Sequence, residues 1–146
     1  MSGADSFFVD TNVLLYSVDA STGQKREIAR QWLDRLWETG TGRLSWQVLN
    51  EFYVNAMRKL QVPAPGVRAA VTAFASWQPV DTSSVLIERA WHWMDQAGIS
   101  YGDALIVAAA ERSGARWLLS EDLEDGRDFA GLTAVNPFGP NPIRLP

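Results

Sequence analysis

The chain has 146 residues, a hydrophobic fraction of 47% and a formal net charge of −4. This length suits one domain with a proper core, and the composition excludes a disordered chain. Cysteine is absent, which excludes disulfide bonds, thiolate nucleophiles and cysteine zinc sites. The negative net charge argues against a broadly basic surface that binds nucleic acid, but it does not exclude local basic patches.

The first half of the chain alternates strand-like and helical patterns. Short apolar runs predict strands over residues 7–10 and 43–45. Apolar residues at helical spacing predict helices over residues 12–18, from a cap at Ser21 or Thr22 to Gly40, over 46–60 and over 65–77. The helix over 46–60 is predicted to bury one face, made of Trp46, Leu49, Phe52, Tyr53, Ala56, Met57 and Leu60.

The second half repeats this alternation. It predicts strands over residues 78–81, 116–119 and 133–135, and helices over residues 83–97 and 101–112. The helix over 101–112 is apolar nearly all round, so we expect it at the centre of the fold. Strands that alternate with helices predict a single α/β domain over residues 1–146, with a central, mainly parallel sheet flanked by helices. Its core should span about 7–137, followed by an irregular, proline-rich tail over 138–146.

The N-terminal residues and the apolar runs bear on where the protein works. Residues 1–5 have no basic segment and no long apolar stretch, so they are not expected to form a signal peptide. The longest apolar run, residues 104–110, is far too short to span a bilayer. We therefore expect a cytoplasmic protein with no membrane partner.

Four carboxylates stand where folding could bring them together. Asp10 and Asp122 follow strand-like runs, Asp103 opens the most apolar helix, and Glu51 lies in the helix over 46–60. In parallel α/β folds, ligands gather at the carboxyl ends of the strands. Two like charges about 4 Å apart cost roughly 4 kcal/mol at an effective dielectric near 20. Converging carboxylates must therefore take up protons or share a cation, and a hard divalent metal is the simplest candidate.

Each of these carboxylates also has a purely structural explanation. Asp10 could cap the helix that follows it. Glu51 lies opposite the apolar stripe of its helix, as a solvated glutamate would. Asp103 stands three residues after Ser100, in the spacing of a capping box. Asp122 belongs to an acidic run that is typical of a solvated turn.

Two neutral residues close to these carboxylates are further candidates. Asn12 and Ser120 could be ordinary turn and cap residues, or they could hold a ligand carboxylate in place. His92, the only histidine, falls off the apolar stripe of its helix and is expected to be exposed, which argues against a Ser-His-Asp triad. The chain contains neither a phosphate-binding P-loop motif nor a dinucleotide-binding glycine motif.

Taken together and in this order, four segments of the chain resemble the motifs of PIN domains. They are VDTNVLLY at 9–16, NEF at 50–52, YGDALIVAAA at 101–110 and LLSEDL at 118–123. Small chains of this kind are similar to VapC-type toxins, the ribonucleases of toxin–antitoxin pairs. Two positions depart from the family pattern: Gly102 stands where a larger residue is common, and Ser120 where threonine is common. Neither departure removes a carboxylate.

The resemblance implies a fold, an activity and partners. It implies an endoribonuclease that depends on Mg²⁺ or Mn²⁺, forms a homodimer and is silenced by a cognate antitoxin that blocks the site. Asp10, Glu51, Asp103 and Asp122 would be the catalytic residues and metal ligands, supported by Asn12 and Ser120.

Two alternatives stay open at this point. One is a non-catalytic interaction module that has kept the scaffold. The other is an aspartyl-phosphate phosphatase that uses Asp10, although Asn12 occupies the second position of the usual D-x-D signature.

Overall fold

A computed structural model describes residues 5–140 and 142–146. The prediction that residues 1–5 are not a signal peptide therefore falls outside the described residues, apart from Asp5, and so does Asn141 of the predicted tail. The described strands and α-helices are β1 (Phe7–Val9), α1 (Thr11–Val18), α2 (Gln24–Thr39), β2 (Gly42–Arg43), α3 (Trp46–Arg58), α4 (Ala64–Phe74), α5 (Ser84–Ala97), α6 (Tyr101–Arg112), β3 (Trp117–Leu119), β4 (Asp128–Phe129) and β5 (Leu132–Val135). Two short 3₁₀ turns, Ala20–Thr22 and Ala75–Trp77, precede α2 and follow α4.

The strands form one sheet in the order β2-β1-β3-β5-β4. All neighbouring pairs are parallel except β4 and β5. The central strands are short and apolar, and β1 is buried at every position, as expected for a sheet covered by helices on both faces. The predicted α/β fold with a mainly parallel sheet is confirmed.

The register of the parallel strands aligns their carboxyl ends. Val9 of β1 pairs with Leu119 of β3, and Leu119 pairs with Val135 of β5. The hydrogen-bond ladder continues one residue further, since the Asp10 N–H donates to the Leu119 carbonyl and the Ser120 N–H donates to the Val135 carbonyl, both at 3.0 Å. Asp10 and Ser120 consequently occupy the same edge of the sheet.

Helix α6 has the largest share of buried residues among the described helices, in line with its apolar sequence. Six of its twelve residues are buried, among them Ile106 and Val107. Burial of each such aliphatic side chain contributes about 1.5–3 kcal/mol. Helix α6 packs against α5, and Glu111 joins the two by accepting hydrogen bonds from Arg89 at 2.9 and 3.0 Å and from the Trp93 indole at 2.7 Å.

Serine side chains cap three of the helices. Ser45, Ser83 and Ser100 accept a hydrogen bond from a backbone N–H in the first turn of α3, α5 and α6, respectively. Each such cap contributes about 1 kcal/mol. Gly40 and Gly98 adopt the left-handed conformation at the ends of α2 and α5, as the sequence predicts.

The start of α2 differs from the prediction. Ser21 and Thr22 lie in the 3₁₀ turn, and Gly23 precedes α2 without a side-chain cap. The Asp19 side chain instead accepts a hydrogen bond from the Ser21 N–H and so caps the 3₁₀ turn. As a result, α2 begins only at Gln24.

One strand prediction and one burial prediction are also corrected, and one observed strand was not predicted. Residues 78–81 form only an isolated bridge between Val80 and Ser45, and the β4 strand was not predicted because two residues carry no periodicity. Trp46, predicted to be buried, is 37% exposed. As the first residue of α3, Trp46 lies at the end of the helix, beyond the buried residues of its apolar stripe.

The residues after β5 turn back onto the domain. Residues 138–140 and 142–146 are irregular, and Phe138 and Ile143 pack against the core. In the part of the chain that the structure describes, no helix is both long enough and apolar enough to cross a membrane.

Candidate functional site

The buried carboxylate of Asp10 lies at the carboxyl edge of the sheet, between β1 and β3. Its side chain is 5% exposed. The Thr11 N–H donates to Asp10 Oδ1 at 2.7 Å. Asp10 therefore caps α1, which is the structural role that the sequence offers for it. The Ser120 hydroxyl donates to Asp10 Oδ2 at 2.7 Å. These two hydrogen bonds fix both carboxylate oxygens.

Asn12 and Ser120 join Asp10 to Asp122. The Asn12 amide donates to Asp122 Oδ2 at 3.2 Å and lies 3.5 Å from Asp10 Oδ2. The Ser120 hydroxyl oxygen accepts the Asp122 N–H at 3.1 Å. Asn12 Oδ1 also accepts the Glu121 N–H at 3.3 Å. Both neutral residues thus contact the acidic residues, and Asp122, although exposed, is held beside Asp10.

Glu51 reaches the site from α3. The Thr11 hydroxyl donates to Glu51 Oε1 at 2.8 Å. The Gln47 amide, one helical turn earlier, lies 3.4 Å from both Glu51 Oε2 and the Gly102 carbonyl oxygen. Glu51 does lie on the polar side of its helix, as the sequence indicates, but this side faces the end of β1.

Asp103 lies in the first turn of α6. Its backbone N–H donates to the Ser100 hydroxyl oxygen at 3.2 Å, which is one half of the capping box seen in the sequence. Burial raises the pKa of Asp103, the Ser100 hydroxyl lowers it, and the neighbouring charges of Asp122 and Glu51 raise it further.

Electrostatic coupling links the carboxylates most clearly at Asp10. Burial raises the pKa of Asp10 from 3.8 to about 7. The hydrogen bonds from Ser120 and Thr11 oppose this rise, and the charges of Asp122 and Asp103 add to it. Asp10 is therefore only partly ionised at neutral pH.

The four carboxylates are neighbours without converging on one point. Among residues 5–140 and 142–146, no group of three or more acidic or histidine side chains is close enough to hold a metal ion. The coupling of Asp103 to both Asp122 and Glu51 nevertheless places the four in one electrostatic unit. Glu51 and Asp122 are exposed, so rotation about their side-chain bonds changes the positions of their carboxylate oxygens relative to Asp10 and Asp103.

The site is an open surface at the edge of the sheet. A cavity of about 520 Å³ lies elsewhere, beside the edge strand β2, where it is lined by residues that include Arg43, Trp77 and Arg112 and by none of the four carboxylates. Small molecules usually bind in enclosed pockets, so an open acidic edge suits a large substrate better.

Thr11 and Gln47 are site residues that the sequence reasoning missed. Thr11 directly follows Asp10, and Gln47 precedes Glu51 by four residues, so it shares the same helix edge. These short spacings from Asp10 and Glu51 are the features of the sequence that point to Thr11 and Gln47. The contacts of Thr11 with Glu51, and of Gln47 with Gly102, span 40 and 55 residues, which local patterns do not reveal.

A charged cluster beside the site anchors the loop after β3. Glu121 accepts hydrogen bonds from the Tyr16 hydroxyl and from Lys25 Nζ, the latter at 2.5 Å. Tyr16 also packs edge-on against Phe138, with ring centroids 4.9 Å apart. This cluster holds Glu121, the residue between Ser120 and Asp122, against α1 and α2.

Comparison with solved structures shows the same fold in proteins of low sequence identity. The VapC20 toxin of Mycobacterium tuberculosis, described as cleaving the sarcin–ricin loop, is 22% identical with a TM-score of 0.59, covering 80% of this chain and 90% of its own. A chain of a toxin–antitoxin complex from Klebsiella pneumoniae is 22% identical with a TM-score of 0.65, covering 91% and 98%. A chain of the VapBC2 complex from Rickettsia felis, bound to a promoter DNA fragment, is 18% identical with a TM-score of 0.60, covering 88% and 96%.

The family assignment comes from the sequence. No curated protein sequence matches the chain. The model of the PIN domain family matches residues 7–129, which include all four carboxylates and both supporting residues. The chain therefore belongs to the PIN domain family.

Proposed function

We propose that this protein is a metal-dependent endoribonuclease that hydrolyses RNA phosphodiesters, and that it is the toxin of a type II toxin–antitoxin pair. Membership of the PIN domain family supports a nuclease. The three similar structures are a toxin described as cleaving the sarcin–ricin loop and two toxin–antitoxin complexes, which supports the more specific role.

The observation that carries this proposal is the burial of the Asp10 carboxylate and the raised pKa that results from it. A carboxylate buried at a strand end, with its pKa raised to about 7, is a costly group to keep for folding alone. A bound cation would offset that cost, because positive charge beside the carboxylate stabilises its ionised form. A cation bound beside Asp10 would relieve the unfavourable burial of its ionised form.

The chemistry of the donor set fits Mg²⁺ or Mn²⁺. We propose that Asp10, Glu51, Asp103 and Asp122 hold the ion, since all four offer oxygen ligands, which hard cations prefer. When bound, the cation supplies positive charge that stabilises the transition state of phosphodiester hydrolysis and favours deprotonation of the attacking water.

The surrounding side chains would orient these ligands. Ser120 and Asn12 hold Asp10 and Asp122 through the hydrogen bonds at 2.7 and 3.2 Å. Thr11 holds Glu51 at 2.8 Å. Such supporting hydrogen bonds fix the direction of ligand oxygens and commonly change metal affinity by about 10- to 100-fold.

The proposal includes partners and a location. We propose that a small cognate antitoxin binds the toxin and blocks the acidic edge, that the toxin acts as a homodimer, and that the pair works in the cytoplasm. The assembly of similar folds with antitoxins in the Klebsiella pneumoniae and Rickettsia felis complexes supports the antitoxin. An adjacent short reading frame that encodes a DNA-binding protein would be the expected genetic context.

Cleavage of defined RNAs with and without EDTA tests this function. We expect cleavage in Mg²⁺ or Mn²⁺, loss of cleavage in EDTA and recovery on adding the metal back. The Asp10→Asn variant should fold and lose activity, whereas Asp95→Asn, which changes an exposed aspartate of α5, should cleave like the wild type.

Each of three results would contradict a different part of the proposal. Full activity of Asp10→Asn would remove Asp10 from the site. A phosphoryl group trapped on Asp10 would indicate a phosphatase instead. A folded protein that releases no heat on titration with Mn²⁺ and cleaves no RNA would indicate a non-catalytic module.

A further inference from the structure

Two residues of the loop after β3 lie between two fixed points. Ser120, before them, continues the hydrogen-bond ladder of the sheet, and Leu123, after them, is buried in the core. Glu121 and Asp122 belong to no helix or strand, and Asp122 is exposed. The direction in which the Asp122 carboxylate points therefore depends on the contacts of this two-residue segment.

Asn12 links the backbone of this segment to its carboxylate. Asn12 Oδ1 accepts the Glu121 N–H at 3.3 Å, and the Asn12 amide donates to Asp122 Oδ2 at 3.2 Å. Because both bonds use one side chain, a displacement of the Glu121 backbone also disturbs the contact that holds Asp122. The position of Glu121 thus bears directly on the position of Asp122.

The side chain of Glu121 is held from two helices. The Tyr16 hydroxyl of α1 donates to Glu121 Oε1, and Lys25 Nζ of α2 lies 2.5 Å from Oε2. Lys25 Nζ also lies 3.3 Å from the Tyr16 hydroxyl oxygen, and the Tyr16 ring packs edge-on against Phe138. Each donor bonds a different carboxylate oxygen, so the Glu121 side chain cannot rotate without losing one of these bonds.

Folding stability alone gives little reason for this cluster. The side chains of Lys25 and Glu121 are 42% and 25% exposed, and ion pairs between exposed groups contribute little to stability. Without Lys25, however, the charge of Glu121 would be unpaired beside Asp122 in the chain, and the two like charges would repel one another. The ion pair removes this repulsion at the point where Asp122 has to be held.

We propose that Tyr16 and Lys25 are positioning residues for the metal site, and that by holding Glu121 they keep the Asp122 carboxylate beside Asp10. This inference rests on the proposed function, in which Asp122 is a metal ligand. Tyr16 and Lys25 act through the side chain and the backbone N–H of Glu121, and neither of them is itself a ligand.

Titration calorimetry of Lys25→Met with Mn²⁺ separates positioning from a simple effect of charge. The substitution removes a positive charge close to a cation site, so charge alone predicts tighter binding. Positioning predicts weaker binding, and we expect Kd to rise by about 3- to 10-fold, less than the 10- to 100-fold for groups that contact a ligand directly. Lys25→Arg keeps a cation that can pair with Glu121 and should retain most of the affinity.

Tyr16→Phe gives a test in which no charge changes. It removes the hydroxyl that donates to Glu121 Oε1 and keeps the ring that packs against Phe138. Charge alone predicts an unchanged Kd for Mn²⁺. Positioning predicts a rise of about 2- to 10-fold, the range that corresponds to one hydrogen bond.

Lys59→Met and Tyr53→Phe are the matched controls. Lys59 is the only other lysine, it is exposed, and its loss changes the net charge by the same amount. The Tyr53 hydroxyl accepts a hydrogen bond from Arg68 at 3.2 Å rather than contacting one of the four carboxylates. Both control variants should bind Mn²⁺ like the wild type.

Amide hydrogen exchange in EDTA measures the same effect without metal. The Glu121 and Asp122 N–H groups are bonded to Asn12 and Ser120, respectively. Lys25→Met and Tyr16→Phe should speed exchange at these two amides, because the segment opens more often. The amides of β1 should keep their wild-type rates, which would show that the fold is intact.

The outcomes separate this proposal from the proposed function. If the wild type binds Mn²⁺ and both Lys25→Met and Tyr16→Phe bind it as tightly or more tightly, the positioning role is wrong and the metal site stands. Faster exchange of the loop amides would not rescue it, since the cluster would then hold the loop without affecting the ligand. If the folded wild type binds no Mn²⁺ and cleaves no RNA, the proposed function fails, and the positioning role fails with it.

Discussion

Asp10 is the residue at which the demands of folding and of chemistry oppose one another. Its carboxylate is buried against β3, where the ionised form is poorly solvated, yet it also caps α1 and accepts the Ser120 hydroxyl. The hydrogen bonds lower the pKa of Asp10, but burial raises it by more, to about 7. A neutral aspartic acid would satisfy the fold, whereas ligation of a metal requires the carboxylate.

We predict a pH-dependent stability that comes from Asp10. Between its ordinary pKa of 3.8 and about 7, folded Asp10 keeps a proton that the unfolded residue releases. Stability therefore falls as pH rises through this window, by at most roughly 4 kcal/mol in the absence of metal. Urea unfolding in EDTA at several pH values should show this fall in the wild type relative to Asp10→Asn. Parallel pH profiles for the two proteins would contradict the burial argument.

We predict that Ser120→Ala weakens metal binding without unfolding the protein. The substitution removes the donor to Asp10 Oδ2 and the acceptor of the Asp122 N–H. Loss of such support should reduce Mn²⁺ affinity by about 10- to 100-fold, as titration calorimetry would measure. Ser113→Ala, at the end of α6 and bonded to the Ala110 carbonyl, is the matched control. Equal affinities in the two variants would show that Ser120 does not position the carboxylates.

At the scale of elements, the site is built from helix starts and strand ends. Asp10 and Ser120 follow β1 and β3, Asp103 lies in the first turn of α6, and Glu51 lies further along α3. The amino-terminal ends of helices carry partial positive charge, which favours nearby carboxylates and phosphates. The sheet supplies the alignment of these groups, and the helices α3 and α6 supply the outer wall of the site.

The packing between β2 and the 3₁₀ turn after α4 gives a prediction at this scale. A Cβ at Gly42 would lie 2.4 Å from a ring carbon of Trp77, whose ring is held by Trp37 and Phe74. Gly42→Ala should therefore destabilise the protein by about 1–3 kcal/mol, as in other overpacked cores.

Gly66→Ala is the control for that prediction. Gly66 lies in α4 with open space around the new Cβ. Alanine should stabilise this helix by roughly 0.5–1 kcal/mol, because it loses less conformational entropy than glycine. In chemical denaturation, the free energy of unfolding relative to the wild type should decrease for Gly42→Ala and increase for Gly66→Ala. A neutral Gly42→Ala would mean that the aromatic cluster shifts freely.

For the whole molecule, four acidic residues from distant parts of the sequence lie as neighbours at one edge of the sheet. The parallel register brings Asp10 next to Ser120 and Asp122, and the packing of α3 and α6 adds Glu51 and Asp103. Like charges in one place oppose compaction, so part of the folding free energy is used to assemble the site. A cation bound there would recover that energy.

We predict that Mn²⁺ or Mg²⁺ raises the melting temperature. A ligand that binds only the folded state stabilises it by about 2.7 kcal/mol when its concentration is 100 times Kd. Thermal unfolding with increasing Mn²⁺ should show this gain in the wild type and a much smaller gain in Asp10→Asn. If K⁺ at matched ionic strength produced the same shift, screening of charge would explain the effect and site binding would not.

Much of the architecture was predictable because it depends on local patterns. The bounds of α6 agree with the prediction at both ends, since Ser100 caps it and its apolar run is long. For α5 the predicted end at Ala97 agrees, and the predicted start at Ser83 lies one residue before the observed start, where Ser83 caps the helix. The two-residue β4 and the first turn of α2 were not predicted, because their conformation depends on pairing with β5 and on the Asp19 side chain.

The sequence by itself determined which chemical groups are present and where along the chain they stand: carboxylates directly after buried strands, a capped apolar helix, and no thiol. Only the tertiary structure decided which of these groups meet. Glu51, Thr11 and Gln47 are brought together through contacts between residues that are 40 or more positions apart. Such contacts depend on strand register and on the direction in which a helix faces, which are set by the packing of the whole core.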